Sequence, residues 1–600
     1  MTRLLCTSGL ITAFAAVAAF PFSFAQPPAV ERTVIVAEKS RIDVVQKISP
    51  AVVAVCKYGG EVSGSGVLID AEGYALTNVH VVSGTGPVLS CGLSDNQLYD
   101  AVVVGLDRVG DVALIKLLPN EKGKPFPFVK LGDSDTVKAG DWSLAMGNPF
   151  GLAQDFTPTV TYGLVSGTNR YQPPAPGGFL EYTDCIQVDT SINPGNSGGP
   201  LFNMKGELIG INGRISLEKR GRVNVGVGYA ISINQIKNFL GHLYAGIDTD
   251  HATLGATVGS EDEDKELNKM VVKEVRDRSD ADRRKLEEGD RLVRFGTTNR
   301  FMGTTNQYKN MLGIYPKGWR VPLTFKRGAE PEKEILVRLE SLQPPPLKTA
   351  DEVPLPKDKR PLLPGSTPGS KAAELYRPKR GFSNWYFNEI EQKRVLDRWK
   401  QNGDFSPLQG TWNAEGTFAI GERNGAMSFE VSDNKGEDGT PLVILKTNTQ
   451  QQLQALKEPD PAKQSMPLGS GGLMMALYHW YHFLSDGPKG FEKAFEHAGW
   501  EPVYPLPTDG TTPKSFNDVL VEADVIRTQH GAVEAKWYFS KKDRLLIAYE
   551  VFMGKDVDPC EVYLSDYKLV DGRMMPHRFE VRNGDTRYGI LTVSKYTQAK

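Results

Sequence analysis

The run Asn193-Pro194-Gly195-Asn196-Ser197-Gly198-Gly199-Pro200 restricts this chain more than any other stretch of it. A serine hydroxyl that attacks a carbonyl needs small neighbours, so that substrate backbone can come close. It also needs a turn that aims backbone N–H groups at the developing oxyanion. Gly195, Gly198 and Gly199 supply both, because glycine adopts the positive-φ conformations such a turn requires. An ordinary tight turn has the same composition, so the run alone does not define a site.

Two upstream segments supply the partners. Thr77-Asn78-Val79-His80-Val81-Val82 puts a histidine at the end of an apolar strand region that begins at Gly66-Val67-Leu68-Ile69. Asp107-Arg108-Val109-Gly110-Asp111 precedes the buried-strand pattern Val112-Ala113-Leu114-Ile115-Lys116-Leu117. Taken singly, His80 reads as a satisfied core histidine and Asp111 as a strand-start turn residue. The order His80, Asp111, Ser197 is that of chymotrypsin-like proteases, in which base and orienter precede the nucleophile.

With Gly64-Ser65-Gly66-Val67, Met146-Gly147-Asn148-Pro149-Phe150-Gly151 and Gly226-Val227-Gly228-Tyr229-Ala230-Ile231, these motifs resemble the HtrA/Deg serine proteases over residues 40 to 245. The resemblance implies a mainly β, multidomain chain that opens with a chymotrypsin-like double six-stranded β-barrel. It implies Ser197 as nucleophile, His80 as general acid/base and Asp111 as orienter. The N–H groups of Gly195 and Ser197, with Asn196 between them, become the oxyanion hole, and a homotrimer through the protease domain is the family expectation. In proteases that cut after Lys or Arg an aspartate stands six residues before the nucleophile. Here that place is Ser191, so a pocket lined by Ser191, Ile192 and Asn212 favours small or medium apolar residues. No cofactor or metal is called for.

Arg3, an apolar stretch from Leu4 to Phe20 and Ser23-Phe24-Ala25 fit a signal peptide over 1–25, cut after Ala25, so the mature chain is periplasmic or secreted. No later stretch is apolar enough to span a bilayer. Cys56, Cys91, Cys185 and Cys560 remain, and their pairing is open. Seventy basic and 72 acidic residues give a net charge of −2 without a basic stripe, which argues against nucleic acid as a partner.

After the protease domain (31–245), residues 250–342 resemble a PDZ domain, chiefly through Leu286-Glu287-Glu288-Gly289-Asp290-Arg291-Leu292. Such a domain takes peptide C-termini by strand addition beside a carboxylate-holding loop, here Leu254, Gly255 and Ala256. The small Ala256 replaces the usual larger residue, and a scaffold role is the rival reading. Glu261-Asp262-Glu263-Asp264 lacks the pattern of a calcium loop and reads as solvated. Residues 343–379 form a proline-rich linker, so 380–600 is expected as a separate α+β module. Trp385 to Trp399 has helical spacing, with Tyr386, Ile390 and Leu396 on one face. Asp571-Gly572 and Asn583-Gly584 mark hairpins of an antiparallel sheet. That tail is faintly similar to lipoprotein-carrier (LolA/LolB-like) half-barrels, which implies a curved sheet with an apolar concave face. His479 and His482 could share a helix face and a metal, but Leu473 to Leu484 reads as a buried helix.

The expected activity is that of an exported serine endopeptidase acting on unfolded or damaged proteins and on peptides. No phosphate-cradling loop is present, so ATP is not expected to take part. The rival is a polypeptide-binding holdase whose protease is latent or peptide-activated.

Overall fold

The computed structural model describes residues 32–58, 61–120, 123–148, 151, 153–174, 181–217, 224–262, 269–298, 300–342, 371–405, 410–432, 441–448, 451–455, 465–491, 493–508, 511, 513–584 and 586–599. The signal-peptide expectation, most of the proline-rich linker, Pro149, Phe150, Glu263 and Asp264 lie outside the described residues.

Short apolar, β-branched runs bounded by Gly and Asp turns make the first strands. They are β1 (Val52–Lys57), β2 (Val62–Leu68), β3 (Tyr74–Thr77), β4 (Val88–Leu93), β5 (Gln97–Asp107) and β6 (Val112–Leu117). Their spatial order is β5-β4-β1-β2-β3-β6, and β6 returns to β5 to close a barrel. A second closed barrel follows from β7 (Trp142–Gly147), β8 (Thr159–Gln172), β9 (Tyr182–Val188), β10 (Pro200–Asn203), β11 (Leu208–Leu217) and β12 (Asn224–Ser232). The chymotrypsin-like double barrel expected from the motifs is therefore present. One continuous core joins Val53, Val55 and Leu76 to Met146 and Phe202 and to Leu240 and Leu243 of the helix Ile233–Tyr244. Closure of both sheets leaves no free edges within the barrels and holds the loops between them rigidly.

β13 (Asp248–Thr249) adds to β5 of the first barrel in parallel. The middle unit carries β14 (Ala252–Thr253), β15 (Ala256–Ser260), β16 (Met270–Val275), β17 (Arg291–Phe295), β18 (Arg300–Phe301), β19 (Arg320–Lys326), β20 (Lys333–Arg338) and β21 (Glu340–Ser341). Its sheet runs β15-β16-β17-β19-β20, with β18 on β17. β14 pairs with β21, so the chain enters and leaves this unit at one place. The helix Thr305–Gly313 is docked on the second barrel. Asn310 accepts the Asp184 N–H at 2.9 Å and donates to Asn169 O at 2.6 Å.

The C-terminal unit is an eleven-stranded antiparallel sheet. Its strands are β22 (Thr411–Ile420), β23 (Arg423–Ser432), β24 (Leu442–Thr447), β25 (Gln451–Ala455), β26 (Ala494–Val503), β27 (Val521–His530), β28 (Val533–Ser540), β29 (Leu546–Phe552), β30 (Cys560–Val570), β31 (Arg573–Asn583) and β32 (Thr586–Ala599). Both expected hairpins form, with Asp571 and Gly572 at positive φ between Val570 and Arg573.

Three expectations change here. The helix Leu473–Asp486 is apolar on every side and packs into the main C-terminal core, where Trp480, Tyr481 and Phe483 meet Trp412, Phe579 and Trp537. An all-round apolar helix must be covered on all sides. It therefore occupies the sheet face that was expected to lie open. The helix Trp385–Trp399 forms as expected, but Ile390 faces outward and Phe387 enters the protease core instead. The C-terminal unit, finally, is separate along the chain but docked in space. Asn388 donates to Ala245 O and to His497 O at 2.9 and 2.8 Å, and Trp319 Nε1 donates to Trp500 O at 2.9 Å. Cys56, Cys91, Cys185 and Cys560 are buried free thiols.

His479, 1 % exposed, has no hydrogen-bond partner for either ring nitrogen among the described residues, and burial pushes its pKa down to about 3. The unfolded imidazole titrates near 6.5, so unfolding takes up a proton between these values. Stability is full above about pH 6.5 and declines as pH falls toward 3, by about 1.4 kcal/mol per pH unit for one group. His479→Leu should flatten the acid limb of a plot of Tm against pH by about one proton.

Candidate active site

The cleft between the barrels gathers the three motif residues. His80 lies in the short helix Val79–Val82 directly after β3, and Asp111 closes the β5–β6 hairpin in a left-handed conformation, φ +59°. Asp111 is fully buried and accepts three hydrogen bonds. They come from His80 Nδ1 at 2.7 Å, His80 N–H at 3.0 Å and the Tyr182 hydroxyl at 2.5 Å. Asn78 Nδ2 holds the Asp111 carbonyl at 2.8 Å. A carboxylate fixed in this way orients the imidazole and leaves its Nε2 for the cleft, where the side chain is 44 % exposed.

Ser197 precedes β10 on a turn closed by Asn196 N–H to Asn193 O at 2.9 Å. Pro194 at the second position and Gly195 at the third, φ +104°, have the chemistry of a type II turn. Among the described residues no acceptor takes the Gly195 or Ser197 N–H, so both remain for a ligand oxygen. Gly198 has φ +81°, and a Cβ there would lie 2.3 Å from Ser65 O and Thr77 Oγ1. Only glycine lets the turn sit this close to the first barrel. The Ser197 hydroxyl donates to Gly213 O at 3.4 Å rather than to His80.

Other expected residues sit differently. Asn196 is wholly buried with its side chain against Gly147, so only its backbone belongs to the turn. Ser191 is exposed, and its carbonyl accepts from Thr161 Oγ1 at 3.0 Å. Ile192, by contrast, is fully buried in the second barrel's core with Val188, Leu201 and Ala230. Asn212 is fully buried too. Its N–H and C=O bond Gly199 and Gly198, and its amide donates to Pro200 O. The side chains of Ile192 and Asn212 thus form framework and do not border open space. Leu254 is core, while Gly255, φ +74°, has its carbonyl held by Arg276 N–H at 2.9 Å.

Two residues that the motifs did not single out complete the site. Ser65 Oγ donates to Gly195 O at 2.6 Å and accepts Asn148 N–H at 2.9 Å, while Ser65 N–H donates to Ser197 O at 2.9 Å. Tyr182 supplies the third bond to Asp111. Tyr182→Phe should lower kcat about tenfold at constant KM, since a bond to a buried carboxylate contributes about 1.5–3 kcal/mol. Steady-state kinetics on a peptide substrate would check it.

Glu391, His497 and Asp524 bring ligand atoms within 4.8 Å of one another. Arg394 already bonds Glu391 at 2.8 Å and Asp524 at 2.5 Å. The half-buried Arg394 guanidinium already pairs with both carboxylates, and the set reads as an ion-pair cluster.

Barrel pair, histidine–carboxylate bond and glycine-bound serine define a trypsin-like peptidase domain, and residues 64–211 match the family model of that description. More particularly, the chain is similar to a probable periplasmic serine endoprotease DegP-like of Chlamydia pneumoniae, 34 % identical over 273 residues, 44 % of this chain and 52 % of the relative. It is also similar to the periplasmic serine endoprotease DegP of Salmonella typhimurium, 46 % identical over 177 residues, 29 % of this chain and 34 % of the relative. The chain spans about half the length of the first of these relatives. Among solved structures, an HtrA-type protease AlgW with tripeptide is 29 % identical, with a TM-score of 0.40, covering 51 % of this chain and 98 % of that one.

Proposed function

We propose that the chain is a serine endopeptidase of the HtrA/DegP type, acting in the periplasm on unfolded or damaged polypeptides. The observation that carries the reading is the His80–Asp111 bond at 2.7 Å, made beside a serine turn whose Gly195 and Ser197 N–H groups have no acceptor among the described residues. Ser197 Oγ attacks the scissile carbonyl while His80 Nε2 takes its proton. Asp111 stabilises the imidazolium, and Gly195 and Ser197 N–H bind the oxyanion. The imidazolium then protonates the leaving amine, and a water activated by the same nitrogen hydrolyses the acyl-enzyme. Ser191 in place of a pocket carboxylate supports cleavage after small or medium apolar residues.

The unpaired outer edge of β15, next to the Leu254–Gly255–Ala256 loop, suits a peptide C-terminus added as a strand. Val34, Ile35, Val36 and Ile42 are exposed on the helix Arg32–Ile48 and support self-association, for which a trimer is the proposed state. Periplasmic relatives and the apolar N-terminal stretch support export with a cut after Ala25. No helix among the described residues is long and apolar enough to cross a membrane.

One observation favours a latent form. Ser197 Oγ donates to Gly213 O at 3.4 Å, whereas a reactive hydroxyl donates to the imidazole. Casein digestion by the mature chain, beside Ser197→Ala and a truncation ending near residue 345, tests the proposal. Cleavage by wild type that Ser197→Ala loses is the expected result. Equal cleavage by both would sink the assignment. Activity of the truncation alone would make the C-terminal unit the source of latency.

A further inference from the structure

A second histidine–aspartate pair stands directly behind the Asp111 turn. Asp107 ends β5, and His251 lies between β13 and β14, where the chain passes from the barrels into the middle unit; each is 1 % exposed. His251 Nε2 is 2.9 Å from both carboxylate oxygens of Asp107, and its ring stacks on Phe239 with centroids 4.5 Å apart. The same carboxylate accepts the Gly110 N–H at 3.0 Å. A Cβ on Gly110 would lie 2.4 Å from Asp107 Oδ2 and 3.1 Å from His251 Nε2. The turn is thus closed down on the pair, one residue before Asp111. On its other side Glu181 N–H donates to Val109 O at 2.9 Å.

Burial opposes a charge on His251, but Asp107, with Glu181 and Asp250 behind it, outweighs burial and raises the imidazole pKa above its ordinary value. Lys317 of the middle unit stands 3.8 Å from Asp250. Removing the imidazole would leave a buried carboxylate without its partner, which is costly enough to displace it. Leu342 N–H also donates to His251 O at 3.0 Å, and His251 bridges to Pro316. Entry and exit of the middle unit therefore meet at this residue.

We propose that His251 is a positioning residue for the triad. It clamps Asp107, Asp107 fixes the Val109–Gly110 peptide through the Gly110 N–H, and that peptide leads directly into Asp111, whose carboxylate is bonded to His80. The inference rests on the reading of Ser197, His80 and Asp111 as a triad.

The test uses the full chain with His251→Ala, His251→Gln and Asp107→Asn, read as kcat and KM on a fluorogenic peptide. The Ala variant should lose about 10- to 100-fold in kcat with KM held within about twofold, as expected for a misplaced catalytic group. Asp107→Asn should lose a similar factor in kcat. His251→Gln keeps a donor to Asp107 and should recover to within about threefold of wild type. Unchanged kcat in His251→Ala, or equal losses in Ala and Gln with equally lowered Tm, would overturn the proposal. Ser197→Ala separates the two claims, because turnover that survives it defeats the triad reading instead. The downfield proton resonance of the His80–Asp111 bond decides the matter even for a latent enzyme. A shift in His251→Ala supports positioning, and an unmoved resonance overturns it.

Discussion

Ser197→Ala should lower turnover of an unfolded protein by roughly 10^5- to 10^6-fold, and His80→Ala should cost about the same. The two losses should not add. Without Oγ there is nothing for the imidazole to deprotonate, and without Nε2 the hydroxyl remains a poor nucleophile. The double variant should therefore match either single one, retaining only what the Gly195 and Ser197 N–H groups and substrate binding provide, about 10^3–10^4 over water. Asp111→Asn should fall by about 10^4, because an amide at Oδ2 cannot accept from both His80 Nδ1 and Tyr182. Single-turnover rates at saturating substrate would measure all four. A double variant far slower than both singles would show that Ser197 and His80 act independently, which a triad does not allow.

The legible part of this site is the part that is local in sequence. His80, Asp111 and Ser197 each follow or precede an apolar strand within a few residues, so short motifs carry them. The double barrel was expected only through the family resemblance those motifs carry, and the closed sheets β1–β6 and β7–β12 agree with it. What was not readable comes from contacts made at long range. Tyr182 meets Asp111 across 71 positions, Ser65 meets Gly195 across 130 and His251 meets Asp107 across 144. No spacing rule links such pairs before the barrels close. Ile192 was misplaced because the segment beside a nucleophile alternates between lining and core, and an apolar β-branched side chain takes the core. The helix Leu473–Asp486 was legible as buried, but its cover, the face of an eleven-stranded sheet, lies in strands before and after it. The proline-rich segment suggested an independent module, whereas buried contacts scattered over three units hold that module in place.

Arg320→Ala should loosen that docking by about 3–5 kcal/mol at neutral pH, the usual consequence of removing one partner from a buried ion pair. Arg320 on β19 donates to Glu561 on β30 at 2.5 Å, and the two side chains are 7 % and 2 % exposed. Arg338 on β20 makes a parallel bond to Glu550 at 2.6 Å, supported by the Tyr538 hydroxyl at 2.8 Å. Burial raises the Glu561 pKa even with Arg320 present, while Glu550, equally buried, is held below its ordinary value by Arg338. Glu561 is thus the weaker member, and losing Arg320 leaves its buried carboxylate with only the Tyr563 hydroxyl at 3.3 Å and the more remote charges of Arg582 and Arg338. Its folded pKa then rises further above the unfolded value. A group raised in this way is tolerated when protonated, so the penalty should be small in acid and grow as pH rises through the folded pKa. Calorimetric scans of the full chain should show one transition splitting into two near pH 7 and merging again near pH 5. Arg320→Met with Glu561→Leu removes both charges and should restore the single transition, because a well-packed apolar pair replaces a buried ion pair at little or no loss. A split that persists in the double variant would mean that the contact acts through shape rather than charge. A wild-type-like scan for Arg320→Ala would mean that Trp319 and the Asn388 bond to Ala245 hold the units together without it.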